Sequence, residues 1–351
     1  MIRSLAFAAA LLTVILIVAG GVVTNTDSGL ACPDWPTCFG SVVPKMTGNV
    51  AVEHTHRLIA AAVGLCTVLL VVLTLRRSRQ GGLAVSMAAL CTLILGASFW
   101  AGRVQFKTDN LPLAGDLLVA LGYAGCAWVL TRARATDGKL AVAALSVVML
   151  QGLLGGLTVL YRLPTLVLVL HLGTSMIFLS LALLLALHLG DVGVARSPAP
   201  RGMLWATLVA IYAQLILGAT VRHTGAGLVC TDLPFCRGAL WPTDVHPMVH
   251  LHMAHRAFAF VVAALVIGTA LRTAREARGL VRALALAGPV LVVLQIVLGV
   301  LTILTFKDLV PLTAHLLVGA LLLANQVSLL ALTRAQEVAS RARRAPVGIT
   351  A

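Results

Sequence analysis

Charged residues are scarce in this chain: Asp, Glu, Lys and Arg together make up 11% of its 351 residues, while 60% are hydrophobic and the mean hydropathy is +1.00. That balance excludes a soluble globular domain, whose surface would be almost entirely apolar. Acids are scarcer still, 12 against 26 Lys and Arg, which leaves a net charge of +14. A nucleic-acid partner would account for the excess only if the bases lay on one face. Instead they fall in alternate loops between apolar runs. No Cys-x-x-Cys occurs among the seven cysteines, which argues against a thioredoxin-type motif, and no third ligand cluster completes a zinc site. Ionisable side chains are also missing from the middle of the apolar runs, which counts against a repeat-built transporter with midplane charges.

What is present is a series of segments long enough to cross a bilayer core, about 20 residues each. They read at 4–24, 57–75, 83–101, 112–131, 140–160, 165–188, 203–221, 252–271, 283–305 and 312–333, ten in all. With the N-terminus inside, 17 of the 26 basic residues fall on one side, from Arg3 and Arg76/Arg77/Arg79 through Arg272/Arg275/Arg278/Arg282 to the tail at 334–351. This is the positive-inside bias, and it predicts cytoplasmic termini in a bacterial cell membrane. The segment 4–24 resembles a signal peptide, but 203–221 is its internal counterpart, so it is expected to be a retained span.

The chain is written twice. Gly29-Leu-Ala-Cys32-Pro-Asp34-Trp-Pro36-Thr-Cys38 recurs as Gly227-Leu-Val-Cys230-Thr-Asp232-Leu-Pro234-Phe-Cys236, at an offset of 198. Each copy precedes a helix expected to open with a histidine–arginine pair, His56-Arg57 and His255-Arg256. At an offset of 144, Gln151, Gly155, Thr158 and His171 align with Gln295, Gly299, Thr302 and His315. The change of offset places an extra two-helix hairpin at roughly 80–135. The expected fold is therefore an all-α polytopic membrane protein of two tandem four-helix-bundle repeats, 1–190 with the inserted hairpin and 203–333. An even number of spans per unit makes the repeats parallel, related by an axis along the membrane normal.

Four histidines at membrane depth, two per bundle, suit two bis-imidazole hemes, since imidazole is a common axial ligand and facing helices can supply one from each side. The alternative for each histidine alone is polar glue between helices. Arg57 and Arg256 are candidates to grip heme propionates, or to anchor at the interface. Glu53, three residues before His56, shares its helical face, whereas the matching position before His255 is His252. That asymmetry suggests that one site does chemistry while the other carries electrons. Cys32/Cys38 and Cys230/Cys236 lie in loops on the side opposite the basic residues, which is oxidising in a bacterium. Two disulfides fit there, with a redox role for the first pair left open. Cys66, Cys91 and Cys126 read as small buried hydrophobes. Asp116 in the hairpin stands where a histidine would be if the hairpin were a third copy. His246, His250 and His252 form a local cluster able to take a metal adventitiously, with His54 close to the ligands.

Taken together, the Cys-Pro-Asp-Trp-Pro-x-Cys loop, Glu53-x-x-His56-Arg57, the run Gln151 to Thr158 before His171 and the mirrored set ending at His315 resemble the heme A synthases of bacteria and mitochondria. The resemblance implies oxidation of the C8 methyl of heme O to a formyl group through a hydroxylated intermediate. It implies substrate heme O between His56 and His171 with Glu53 as the catalytic residue, and heme b on His255 and His315. It also implicates Cys32 and Cys38 in function, and makes a heme O synthase the candidate supplier, with the electron donor unidentified. The chain departs from the family in its two extra spans and in Val23-Thr24-Asn25-Thr26, where an arginine is usual and the second copy has Arg222. The rival reading is a diheme b-type membrane cytochrome that transfers electrons without modifying heme.

Overall fold

In a computed structural model the chain is an all-α polytopic membrane protein. The structure describes residues 1–108, 113–190, 192, 201–243 and 245–344, with the backbone alone at 102–108, 113, 116 and 334–344. The helices are α1 (Ile2–Asn25), α2 (Gly48–Arg77), α3 (Gly81–Thr108), α4 (Leu113–Arg132), α5 (Thr136–Leu160), α6 (Thr165–Gly190), α7 (Arg201–His223), α8 (Pro247–Glu276), α9 (Gly279–Leu304) and α10 (Leu309–Arg344). Among the described residues nine are long and apolar enough to span a membrane. The tenth expected segment is α4: Leu113–Arg132 is 20 residues, roughly 30 Å at the helical rise and enough for a bilayer core, with its apolar stretch described over Leu117–Arg132. Asp116 lies on α4, and its side chain is outside the described residues.

Buried hydroxyls are reconciled with the apolar helices by bonding back one turn, as Thr13 does to the Ala9 carbonyl (2.7 Å) and Thr67 to that of Val63 (2.8 Å). The remaining large side chains face outward in quantity, among them Leu11, Leu65, Leu121, Phe260 and Val290, as a helix facing lipid requires.

The chain divides into two compact units, Met1–Gly190 with Asp308–Leu317, and Asp191–Lys307 with Val318–Ala351. In the first, Ala6, Ala9, Leu70, Val71, Leu75, Met87, Ile94, Val129 and Leu145 form one core. Here α3 and α4 pack so closely that Gly122 and Gly125 lie against Ile94 and Leu90 with no room for a side chain, the small-residue contact typical of membrane helices. The free thiols Cys91 and Cys126 are buried in that core, and Cys66 is half-buried beside it. Asn25 of α1 donates to Thr313 of α10 (2.7 Å), inside the same unit. In the second unit Leu204, Val281, Ala285, Leu329 and Leu332 pack together. There the Gln326 amide donates to the Leu204 carbonyl (2.8 Å), and Thr207 meets Thr269 (2.8 Å).

Local geometry recurs at the repeated motifs. Each Cys loop is closed by an antiparallel bridge, Cys38–Ser41 and Cys236–Ala239. The turns after α5 and α9 both place two consecutive residues in the left-handed region, Arg162/Leu163 and Phe306/Lys307. They close on the same acceptors, Leu163 N–H to Thr158 (2.7 Å) and Lys307 N–H to Thr302 (2.8 Å).

Candidate functional site

The site begins with where α2 and α8 start. Both helices start earlier than the apolar windows at 57 and 252 suggested, at Gly48 and at Pro247. His56 and His255 therefore sit eight residues inside, roughly 12 Å below the first residue, rather than at the helix start. The mixed run Gly48–His56 lowers the hydropathy of any window there, and two of its side chains, Glu53 and His54, are bonded to the Cys loop above.

Both cysteine pairs are disulfide-bonded, Cys32–Cys38 and Cys230–Cys236. Each loop is organised from within by an aspartate. Asp34 accepts from the Thr37 hydroxyl (2.5 Å) and from the N–H groups of Phe39 (2.6 Å) and Gly40 (2.9 Å). Burial raises its pKa, but these hydrogen bonds to the ionised form outweigh it and hold the carboxyl below its ordinary value. Asp232 is likewise lowered, by backbone hydrogen bonds that include Gly238 and Arg237 and by the charge of Arg256.

Each loop is then fastened to the helix below by an arginine. Arg57 Nη1 donates to the carbonyls of Asp34 (2.8 Å) and Thr37 (2.6 Å); Nη2 donates to the Cys32 carbonyl (3.3 Å) and the Glu53 carboxylate (2.5 Å). Arg256 repeats this with Asp232 (2.9 Å), Phe235 (3.2 Å) and Cys230 (2.5 Å), while its Nε donates to His252 (3.2 Å). All four terminal N–H groups of Arg57 are thus engaged by the loop and Glu53, which leaves only Nε–H for a propionate. Glu53, 3% exposed, completes the clamp by accepting from the Cys32 N–H at 2.8 Å.

The histidine rings share a setting that sequence alone did not reveal. The rings of His56, His171 and His255 each lie against a glycine of the neighbouring helix. A Cβ at Gly20 would come within 3.1 Å of His56 Cε1, one at Gly218 within 2.9 Å of His255 Cε1, and one at Gly155 within 3.3 Å of His171 Cε1. Glutamines hold the backbone beside two of them: the Gln151 amide donates to the His171 carbonyl (2.7 Å) and that of Gln214 to the His255 carbonyl (2.9 Å). Gln151 also accepts from the Thr174 hydroxyl. Both His56 and His171 belong to the first unit; His315 lies in Asp308–Leu317, which groups with that unit, and His255 lies in the second.

The donor set suits heme iron. The His56 ring is buried at Nδ1 among apolar helices, a setting in which an imidazole is available as a metal donor. Imidazole is a common axial ligand of heme iron, and the helices of a bundle can supply one from each side.

The other histidines go elsewhere. His246 caps α8 by accepting from Met248 N–H (3.3 Å), His250 stacks on Trp241 and bonds the Pro242 carbonyl (2.9 Å), and His252 meets Arg256. The sequence cluster is therefore not brought together. His54 packs beside the first disulfide, its ligand atom and both sulfurs lying within 4.8 Å of one another, and contacts the Val42 carbonyl (3.0 Å). In the second loop Met253 is packed with Cys230 and Cys236 instead.

A multi-pass helical membrane protein with buried histidines beside disulfide loops is the class that fold and site define. The COX15-CtaA family, described as cytochrome oxidase assembly proteins, matches residues 3–54 and 113–327. The chain belongs to this family. The gap in the match covers α3 and all of α2 after His54. A heme A synthase of Symbiobacterium thermophilum is 30% identical over 278 residues, 76% of this chain and 73% of that protein. Heme A synthases of Shouchella clausii and Geobacillus kaustophilus are 26% and 28% identical, covering 84% and 97% of this chain and 83% and 92% of theirs.

Proposed function

We propose that this protein is a heme A synthase, oxidising the C8 methyl of heme O through a hydroxylated intermediate to the formyl group. The observation that carries the reading is the matched setting of His56 and His255, each ring against a glycine 198 positions apart in sequence, Gly20 and Gly218. His56 and His171 hold the substrate heme O. By resemblance to the heme A synthases, His255 and His315 hold a heme b, which would supply one-electron redox chemistry when bound. The Cys loops lie on the outer face and both termini in the cytoplasm, as the basic residues of the alternate loops require.

Converting a methyl to a formyl group is two two-electron oxidations at one carbon, so protons leave as well as electrons. Glu53 is the carboxylate nearest in sequence to a ligand of the substrate site, one turn from His56. Its carboxylate, paired with Arg57, offers a proton acceptor on that face of α2, and it fixes the loop above through Cys32 N–H. Arg57 holds the loop first, and any propionate contact falls to its Nε–H. Arg256 has a terminal N–H left for the same use.

The test is chromatographic identification of hemes extracted from protein co-expressed with a heme O source. Heme A or hydroxylated heme O alongside heme b is the expected result. Heme b alone, with heme O abundant, would replace this reading with that of an electron-transfer cytochrome.

A further inference from the structure

The two Cys loops are fastened alike to the helix below, and each sets its first glycine against the turn across from it, Gly29 by Leu163 and Gly227 by Lys307; among the described residues the first loop adds a further contact. It carries Trp35, whose indole lies on α5 at Gly156: a Cβ there would meet Cδ2 at 2.8 Å and Cε2 and Cε3 at 3.1 Å. Gly156 is the neighbour of Gly155, against which the His171 ring packs. The loop backbone on both sides of Trp35 is bound by Arg57, at Asp34 and Thr37, and its Cys32 N–H by Glu53, both on the helix that carries His56. The Cys32–Cys38 loop therefore spans from the helix of one candidate ligand to the helix that backs the other. Internally it is rigid, through its disulfide and the three bonds to Asp34.

The second copy lacks both halves of this contact. Position 35 becomes Leu233 and position 156 becomes Val300. Leu233 and Phe235 are 36% and 44% exposed, so that loop presents side chains outward where the first turns one inward. A large flat side chain and a missing Cβ have changed together, and only in the half assigned to the substrate.

We propose that Trp35 is a substrate-positioning residue. With the loop that carries it, it closes the loop end of the site between His56 and His171 and gives the planar, apolar edge of the substrate macrocycle an aromatic wall. The inference rests on the reading of that site as the heme O site. An indole suits the task because it presents a broad apolar face of low conformational freedom, and aromatic contacts are favourable beyond simple area burial.

The experiment exchanges the pair for its counterpart from the other half, Trp35→Leu with Gly156→Val, in the full chain in detergent, and adds Trp35→Phe as the conservative variant. Heme O is titrated into each protein and followed by its absorption on ligation; kcat and KM are measured on the same preparations. Heme b content reports folding. The expected result is a Kd and KM for heme O raised about tenfold in the double variant, with heme b unchanged, kcat within about threefold of the parent, and Trp35→Phe close to the parent. If the double variant loses heme b, Trp35→Leu alone, which introduces no clash, gives the same reading. A Leu variant that is folded and binds heme O with the parental Kd overturns the proposal, as does an equal fall in kcat and heme b with KM unmoved. A parent protein that takes up no heme O sinks the underlying site reading instead.

Discussion

Gly218→Ala tests the glycine backing of the histidines most sharply. The added methyl would stand 2.9 Å from His255 Cε1. An ordinary carbon–carbon contact is about 3.5–4.0 Å, so the ring must withdraw by roughly 0.6–1.1 Å. Metal–ligand bonds tolerate about ±0.2 Å, so a displacement of that size breaks or tilts the ligation. The helix itself favours the change, since alanine is better than glycine in a helix interior by about 1 kcal/mol. Folding and ligation should therefore separate: thermal stability of the heme-free protein is kept or raised, while heme b affinity falls about tenfold to a hundredfold. Heme b per protein by pyridine hemochrome, with the low-spin spectrum of the oxidised form, reads the effect. Gly20→Ala, at 3.1 Å from His56, should spare heme b and weaken heme O uptake, and by less. Undiminished heme b with a parental spectrum in a folded Gly218→Ala protein would refute the reasoning.

Three further outcomes are expected. Glu53→Gln keeps an acceptor for Cys32 N–H but discards the charge facing Arg57; bound heme should stay within twofold of the parent while heme O oxidation slows about a hundredfold, measured by chromatography of extracted hemes. Arg57→Lys replaces a fork reaching three loop carbonyls by a single ammonium, so the Cys32–Cys38 bond should be reduced by dithiothreitol about tenfold faster, followed by thiol labelling; an unchanged rate would show that the clamp does not restrain the loop. Because Asp34 is held below its ordinary pKa, its contribution is present above the unfolded value near 3.8 and is lost as pH falls through the lower folded value. Protease nicking of the first loop should accordingly stay flat down to about pH 4 and rise in more acid solution, and Asp34→Asn should already be nicked at neutral pH.

Much of this was legible in the sequence because apolar length and internal repetition are robust signals. The helices and the disulfide loops follow from them, whereas the depth of His56 and His255, expected at the helix starts, does not. The ends of α2 and α8 were not legible, because residues 48–56 are of mixed polarity and two of them, Glu53 and His54, are bonded to the loop. The arginines were ambiguous for a chemical reason: a guanidinium that grips a propionate equally well grips a ring of carbonyls, and only coordinates say which is within reach. Gln214 escaped notice because its counterpart is Leu16, so a search for matched residues could not see it. Trp35 and Gly156 were in view as motif residues, but their contact was not, since their counterparts are Leu233 and Val300. Comparing the copies for paired differences, in place of shared residues, would have found them.

The close fit of Trp35 on Gly156 has a consequence for how the chain can change over generations. A side chain at 156 collides with the indole, and a smaller residue at 35 leaves a gap beside the histidine helix, so either change alone is penalised and the two are passable only together. Once a duplicated gene has taken such a double step in one copy, reversion by single mutations is blocked from both directions. Two halves that began interchangeable are then held in separate occupations by one steric lock, even while the residues around it drift.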